Sequence, residues 1–162
     1  MAKRHAQTSY FDFPVEVVLQ VLVDEQFQVD REKVHGNPDA RVEDVSRSDS
    51  RYVYKVHTTE YAKGIKGIDR SKTEMSVTTY EWDLVGKKCT WTYVGAQANR
   101  VKVWGGMQVN GTGESCQLPS DFNVDVRIPL VGGKVEKVVI DEAKKGWARW
   151  ENLIVDYCKK LS

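Results

Sequence analysis

The end of the chain constrains the fold most, because a long helical pattern there follows a long region without any helical period. After the Gly132-Gly133 pair the pattern continues to about Leu161, and a helix of roughly 28 residues is ~40 Å long. Between about residue 40 and residue 129, Val, Thr, Tyr and Trp alternate with polar residues, which is typical of strands. A helix of that length crosses a whole small domain, so the sequence predicts one long helix packed against a sheet.

Turn residues divide the strand region into six segments. The predicted strands are "ARVEDVSRS", "RYVYKVHTTEY", "KTEMSVTTYEWDLV", "KCTWTYVG", "NRVKVWGGMQV" and "DFNVDVRIPL". Short links between neighbouring strands favour an antiparallel meander. Before this region, "HAQTSYFDF" predicts a strand, and two short helices follow, the first from Pro14 and the second from Asp24 to Gly36. The order β-α-α-β6-α defines an α+β protein with a sheet of about seven strands.

Composition and charge argue against several classes of function. The 162 residues fit a single domain, residues 1–162, and 24 Lys and Arg are interspersed with 23 Asp and Glu, so no surface for nucleic acid is expected. No segment has the apolar length of a signal peptide or a membrane span, which predicts a cytoplasmic protein. The three histidines and three cysteines lack metal-binding spacings, and no phosphate-binding loop is present. We therefore expect no metal and no cofactor.

One glycine lies where a glycine is costly. Gly146 is near the middle of the long helix and, at about 100° per residue, at the centre of its apolar face. A glycine inside a helix costs about 1 kcal/mol relative to alanine. Two interpretations stay open at this stage: close packing of the helix against a strand or an aromatic ring, or a hollow in the helix that leaves space for a ligand.

The order of elements, together with "VDVRIPLVGGKVEKVV" at 124–139 and "YEWDL" at 80–84, resembles the START-like (SRPBCC) superfamily, in particular an uncharacterised bacterial branch. This superfamily has the helix-grip fold and includes START domains, the birch-pollen allergen family and polyketide cyclase-like proteins. The resemblance covers residues 5–161, essentially the whole chain. It implies a curved antiparallel sheet wrapped around the C-terminal helix, with an apolar cavity between them.

On that fold, one face of each strand points towards the helix. The apolar positions of the strands and three positions of the helix give the candidates for the cavity wall: Tyr52, Tyr54, Val56, Met75, Val77, Trp91, Tyr93, Val103, Met107, Val124, Val126, Glu142, Gly146 and Trp150. Ordinary core packing is the alternative for each aromatic residue. In "MSVTTYEWDL" the apolar residues change parity, which predicts a bulge near Thr78-Thr79 or a strand buried on both faces.

The segment "AKGIKGID" at 62–69 contains Gly64, Ile65, Gly67 and Ile68 and is predicted to be a loop at the open end of the sheet. The resemblance implies that such a loop gates the cavity, and an ordinary surface loop is the alternative. Isoleucines beside two lysines would allow at most transient contact with an anionic membrane surface.

The expected partner is a small hydrophobic ligand, such as a lipid, sterol, isoprenoid or polyketide-like molecule, bound by a monomer or weak dimer. Glu142 lies about 40° from Gly146 around the helix and would suit a general acid or base, although pairing with Arg149 or with a strand residue at the cavity rim is favoured. A polyketide cyclase or dehydratase is therefore the alternative function, and no catalytic residue is assigned. A protein-interaction module with a filled core is the second alternative.

Overall fold

The computed structural model describes residues 2–64 and 66–162. Within these residues the chain forms eight strands and three helices, and none of the helices is both long enough and apolar enough to span a membrane. The elements are β1 (Lys3–Phe11), α1 (Val15–Leu22), α2 (Glu25–Val34), β2 (Asp39–Arg47), β3 (Arg51–Gly64), β4 (Gly67–Asp83), β5 (Lys88–Val94), β6 (Val101–Gln108), β7 (Asn110–Thr112), β8 (Ser115–Val126) and α3 (Gly132–Leu161).

The two short helices after β1 follow the signals in the sequence. Pro14 directly precedes α1, and the Asp24 carboxylate accepts a hydrogen bond of 2.8 Å from the Phe27 backbone N–H, which stabilises the first turn of α2. At the other end of α2, Gly36 has a φ of 90°, a conformation that glycine adopts without strain. The predicted pair of helices is therefore confirmed, and α2 packs against α3.

The strands form one antiparallel sheet in the order β1-β8-β6-β5-β4-β3-β2, and β7 pairs with β8 beside this path. The meander from β2 to β6 agrees with the prediction. The predicted last strand is wrong at both ends, because β8 begins at Ser115 and ends at Val126. Its longer N-terminal part is stabilised by β1, which pairs with β8 from Phe11 opposite Cys116 to Lys3 opposite Val124. This pairing joins the two ends of the chain, so a local pattern does not reveal it.

The helix α3 packs its two halves into different surroundings. The C-terminal half belongs to the larger core, which α1, α2 and the sheet also form, and Ile154 and Cys158 are fully buried there. The N-terminal half contributes to a smaller core on β6 and β8, with Ile140 packed near Val103 and Val124. Space for a cavity remains between the sheet and the first half of α3.

A buried carboxylate fixes the start of α3 to the end of β8. Glu136 is only 2% exposed, and its Oε2 accepts a hydrogen bond of 2.9 Å from the Val126 backbone N–H. Gly132 completes this contact, because a methyl group there would lie 2.5 Å from the Val126 carbonyl oxygen. The end of the sheet therefore determines where the helix begins and in which direction it leaves.

We expect Glu136→Ala to lower the free energy of unfolding by about 2 kcal/mol, because the buried N–H of Val126 loses its acceptor. Glu136→Gln is the matched control, since its amide oxygen can still accept this bond, and it should cost about half as much. Urea denaturation of the three proteins measures both changes. Equal losses in the two variants would mean that an oxygen acceptor at this position does not stabilise the fold, and would contradict the role given to the hydrogen bond.

Candidate ligand-binding cavity

A cavity of about 550 Å³ lies between the inner face of the sheet and the first half of α3. Small-molecule sites commonly have volumes of about 300–1,000 Å³. One wall of this cavity is apolar. Its residues come from α3, β5, β6, β8 and the loop that follows β8: Val135, Val139, Ala143, Trp91, Val101, Val103, Phe122, Ile128 and Val131.

The facing wall is polar and comes from α2 and from β3 and β4. Arg31 and Glu32 form an ion pair of 3.1 Å, and Glu32 accepts a hydrogen bond of 3.2 Å from the Thr58 hydroxyl. Thr78 and Tyr80 continue this wall on β4. Burial raises the pKa of Tyr80 to about 12, so its hydroxyl stays protonated at neutral pH. The cavity thus offers a ligand one apolar and one hydrogen-bonding side.

A phenol and a buried carboxylate meet in the sheet wall of the cavity. The Tyr93 hydroxyl donates a hydrogen bond to Oε1 of Glu60, and the Ser76 hydroxyl donates one of 3.3 Å to Oε2. Glu60 is only 6% exposed. Burial, together with the negative charge of Glu60, raises the pKa of Tyr93 well above its usual range. The phenol therefore remains a donor to the carboxylate at neutral pH.

A glycine in β6 lets an aromatic ring lie flat across that strand. A methyl group at Gly105 would lie 2.5 Å from Cζ2 of Trp91 and 2.2 Å from the Asp121 carbonyl oxygen. Trp91 therefore covers the strand and contacts Phe122, with 5.5 Å between the ring centroids. Gly105 and Gly106 both pair with residues of β8. Gly105 therefore allows the Trp91 ring to approach the backbone closely without interrupting the sheet.

Gly146 makes room for a histidine ring from the end of α2. A methyl group at Gly146 would lie 2.7 Å from Nδ1 and 2.8 Å from Cε1 of His35, closer than a real methyl group can approach. Both residues border the cavity. The observed packing supports the first interpretation of the glycine, close packing, although the ring belongs to α2 rather than to a strand or a tryptophan.

The electrostatic surroundings of His35 keep its ring neutral. Burial, followed by the positive charges of Arg31 and Arg149, lowers the pKa of His35 to about 3. At neutral pH the imidazole is therefore an uncharged hydrogen-bonding group at the α2–α3 edge of the cavity.

Part of the predicted set of cavity residues borders this space: Trp91, Tyr93, Val103, Met107, Glu142, Gly146 and Trp150. Glu142 lies at the rim, where it accepts a hydrogen bond of 3.3 Å from Lys145. The favoured pairing with Arg149 or a strand residue is therefore wrong, because Lys145 lies one helical turn away on the same helix and meets Glu142 more easily. Val124 and Val126 are buried in the smaller core and do not border the cavity.

The aromatic start of β3 lies in the larger core, away from the cavity. Tyr52, Tyr54 and Val56 are at most 2% exposed and pack beneath α1 and α2. The Tyr54 hydroxyl accepts hydrogen bonds of 3.2 Å from Gln28 and 3.3 Å from Trp82. Placing these three residues in the cavity wall is therefore wrong, because the two short helices cover this end of the sheet.

Met75 and Val77 are on the outer face of β4, and their predicted inward position is wrong. Met75 is 62% exposed, whereas Ser76 is buried on the inner face. No bulge occurs near Thr78-Thr79, since β4 pairs with β5 without interruption from Val77 to Asp83. The inner face becomes polar instead of changing parity, because Glu60 provides a buried partner for Ser76.

The predicted gating loop is largely strand. β3 extends to Gly64 and β4 begins at Gly67, so these two glycines end a hairpin. Ile68 belongs to β4 and borders the cavity, and Ile65 lies outside the described residues. A gating role for this hairpin stays a prediction.

Sequence reasoning missed the polar wall. Glu60 shares the inward parity of Tyr52 and Tyr54 along β3, so continuing the alternation through the polar residues would have found it. His35 has no comparable signal. Its place in the cavity depends on how α2 packs against α3, which no local pattern encodes.

The architecture is the helix-grip fold, and the comparisons with solved structures find the same fold. The aromatase/cyclase Zhui from Streptomyces sp. R1128 aligns with a TM-score of 0.69 at 13% identity, over 99% of this chain and 95% of that one. A protein from Thermus thermophilus gives 0.66 at 15% identity, over 99% of both chains. A START superfamily protein from Mycobacterium smegmatis gives 0.60 at 14% identity, over 98% of this chain and 99% of that one. Identities this low show a shared fold alone.

Within this fold, the sequence gives a narrower assignment. A family model described as a protein of unknown function, DUF2505, matches residues 6–158. The chain belongs to the DUF2505 family. No match was found among curated proteins.

We expect Gly146→Ala to lower the free energy of unfolding by about 1 kcal/mol, because overpacking against His35 exceeds the helix propensity that alanine gains. In a His35→Ala background the same change should stabilise the protein by about 1 kcal/mol, since the clash is absent. A double-mutant cycle by urea denaturation measures the coupling. Additive effects would contradict the contact.

Protonation of His35 should destabilise the fold as the pH falls. Because its pKa is lower in the folded protein than the usual 6.5, the unfolded chain binds the proton more tightly, and stability is lost below about pH 6.5. Between about pH 7 and pH 5 the loss should be about 1–2 kcal/mol. His35→Asn should remove most of this loss in urea denaturation. The lowered pKa of a carboxyl such as Asp141 places its titration below this range, so an undiminished loss in the variant would contradict the assignment.

Proposed function

We propose that the protein binds a small, mainly apolar ligand in the cavity between the sheet and α3. The observation that carries this proposal is an unfilled space of about 550 Å³ whose walls differ in polarity. A chain that only needed a stable core would fill such a space with side chains, since protein interiors are close-packed. A cavity retained in the middle of a fold is explained by a molecule that occupies it.

The two walls favour an amphipathic ligand. Burial of about 200 Å² of ligand surface against the apolar wall would contribute about 5 kcal/mol before the costs of ordering. The polar wall would then orient the ligand, with the Arg31–Glu32 pair, His35 and the Glu60–Tyr93 pair within one cavity. Lipids, sterols, isoprenoids and polyketide-like molecules all combine an apolar body with a few polar groups.

A second candidate function is a cyclase or dehydratase, favoured by the Glu60–Tyr93 hydrogen bond in the cavity wall. Such reactions need a proton acceptor or donor beside the bound substrate. In this protein Glu60 suits that role better than Glu142, which is paired with Lys145 at the rim. The aromatase/cyclase activity in the name of one structural neighbour is compatible with this candidate. An interaction module with a filled core is disfavoured by the cavity.

The first experiment is native mass spectrometry of the purified protein, followed by organic extraction and identification of the released molecules. We expect an apolar or amphipathic ligand to be bound in a stoichiometric amount. The proposal would be contradicted if the purified protein contained no bound ligand and also failed to bind sterols, fatty acids and neutral fluorescent probes. If the wild-type protein converts the extracted ligand to a product and the Glu60→Gln variant does not, the cyclase or dehydratase function would be favoured.

A cavity-filling variant tests the location of the site. Ala143 borders the cavity on α3, and Ala143→Leu should weaken binding of a neutral fluorophore such as N-phenylnaphthylamine at least tenfold by occupying its space. Ala148→Leu is the matched control, because Ala148 is exposed on the same helix and the substitution has the same small effect on helix propensity. Fluorescence titration measures both affinities. Equal affinities in the two variants would place the site elsewhere.

A further inference from the structure

The loop between β8 and α3 (residues 127–131) contains a leucine whose side chain does not pack into the core. Leu130 is 101% exposed, more than any other large apolar side chain in the described part of the chain. Its φ is 70°, in the left-handed region, where the Cβ of a leucine crowds the backbone. An exposed leucine in a strained conformation stabilises neither the loop nor the core, so an external contact is the better explanation.

This leucine lies between two residues that border the cavity. Its loop neighbours Ile128 and Val131 both border the cavity, as does the loop between β5 and β6. The two loops are joined by a hydrogen bond of 2.7 Å from the Arg127 N–H to the Arg100 carbonyl. Leu130 therefore projects into solvent beside the end of the cavity that these two loops border.

Exposed cations surround the same loop: Lys3, Arg100, Arg127 and Lys134. The Lys3 ammonium donates a hydrogen bond of 2.7 Å to the Gly133 carbonyl, which places it beside the loop. Arg127 forms an ion pair of 3.4 Å with Asp125. Arg100 and Lys134 form no ion pair with any residue that the structure describes. The loop therefore combines a protruding leucine with the positive charges of Arg100 and Lys134, which no acidic side chain of the described residues pairs with.

We propose that this rim, defined as residues 127–134 with Lys3 and Arg100, is a docking surface for membranes that contain anionic lipid. Leu130 inserts at the boundary between headgroups and acyl chains, while the cations contact the anionic headgroups. The end of the cavity that the two loops border then faces the bilayer. This surface is separate from the β3–β4 hairpin, whose isoleucines suggested membrane contact from the sequence.

A bilayer fits the rim better than a protein partner does. A specific protein interface buries about 800 Å² on each side around an apolar or aromatic centre. The rim offers instead one fully exposed leucine among cations. One inserted side chain with several basic residues is enough for reversible attachment to an anionic bilayer.

The test is co-sedimentation with vesicles of equal parts phosphatidylcholine and phosphatidylglycerol, compared with phosphatidylcholine alone. We expect binding to the anionic vesicles that weakens as salt rises. Leu130→Asn should weaken it about tenfold, because the insertion of one leucine side chain is lost. The melting temperature of this variant should rise by roughly 2 °C, since asparagine adopts a positive φ readily. A variant that melts lower and binds as wild type would identify Leu130 as a packing residue and overturn the proposal.

Matched variants separate insertion from general effects. Val85→Asn changes an apolar side chain that is 74% exposed at the opposite end of β5, and vesicle binding should be unchanged. Arg100→Gln and Lys134→Gln should each weaken binding about fivefold, because each removes one headgroup contact. If the wild-type protein does not sediment with anionic vesicles, the proposal is overturned, and binding of a protein partner becomes the explanation of the exposed rim. The assay needs no cavity ligand, so its result is independent of the proposed function.

Discussion

The attachment of α3 at both of its ends is the constraint on which the cavity depends. The hydrogen bond from Val126 to the buried Glu136 fixes the start of the helix, and the larger core holds Ile154 and Cys158 near its end. A rigid helix held in two separate cores cannot settle onto the sheet between them. Space therefore persists beneath its first half, and the walls of that space are set by whatever the sheet and α2 present.

Two glycines shape those walls by removing side chains where rings must fit. Gly105 lets Trp91 cross β6 and build the apolar side, whereas Gly146 admits His35 to the edge between α2 and α3. Each glycine weakens its own element slightly, and each admits a ring from a different element. The cavity is therefore an outcome of close packing around it.

The two sides of the cavity differ in polarity. Apolar side chains of α3, β6 and β8 form one side, and the Glu60–Tyr93 pair with the polar residues of α2 forms the other. Beside the cavity, Leu130 and the surrounding cations form an exposed surface whose chemistry suits an anionic bilayer. The two proposals made for this DUF2505 protein, binding of an amphipathic molecule and docking on a membrane surface, rest on these features.

Local signals in the sequence determined the elements of this protein: the alternation after residue 40, the Asp24 cap and the apolar face of the long helix. They predicted the α+β order of elements because period and capping act over a few residues, whereas the helix-grip architecture was implied by the resemblance to the START-like superfamily. Only the tertiary structure decided which side chains border the cavity. Met75 points outward because pairing with β3 sets the parity of β4, and His35 meets Gly146 because α2 packs on α3. Contacts between residues far apart in the chain leave no periodic trace, so the sequence defined the parts and packing defined the site.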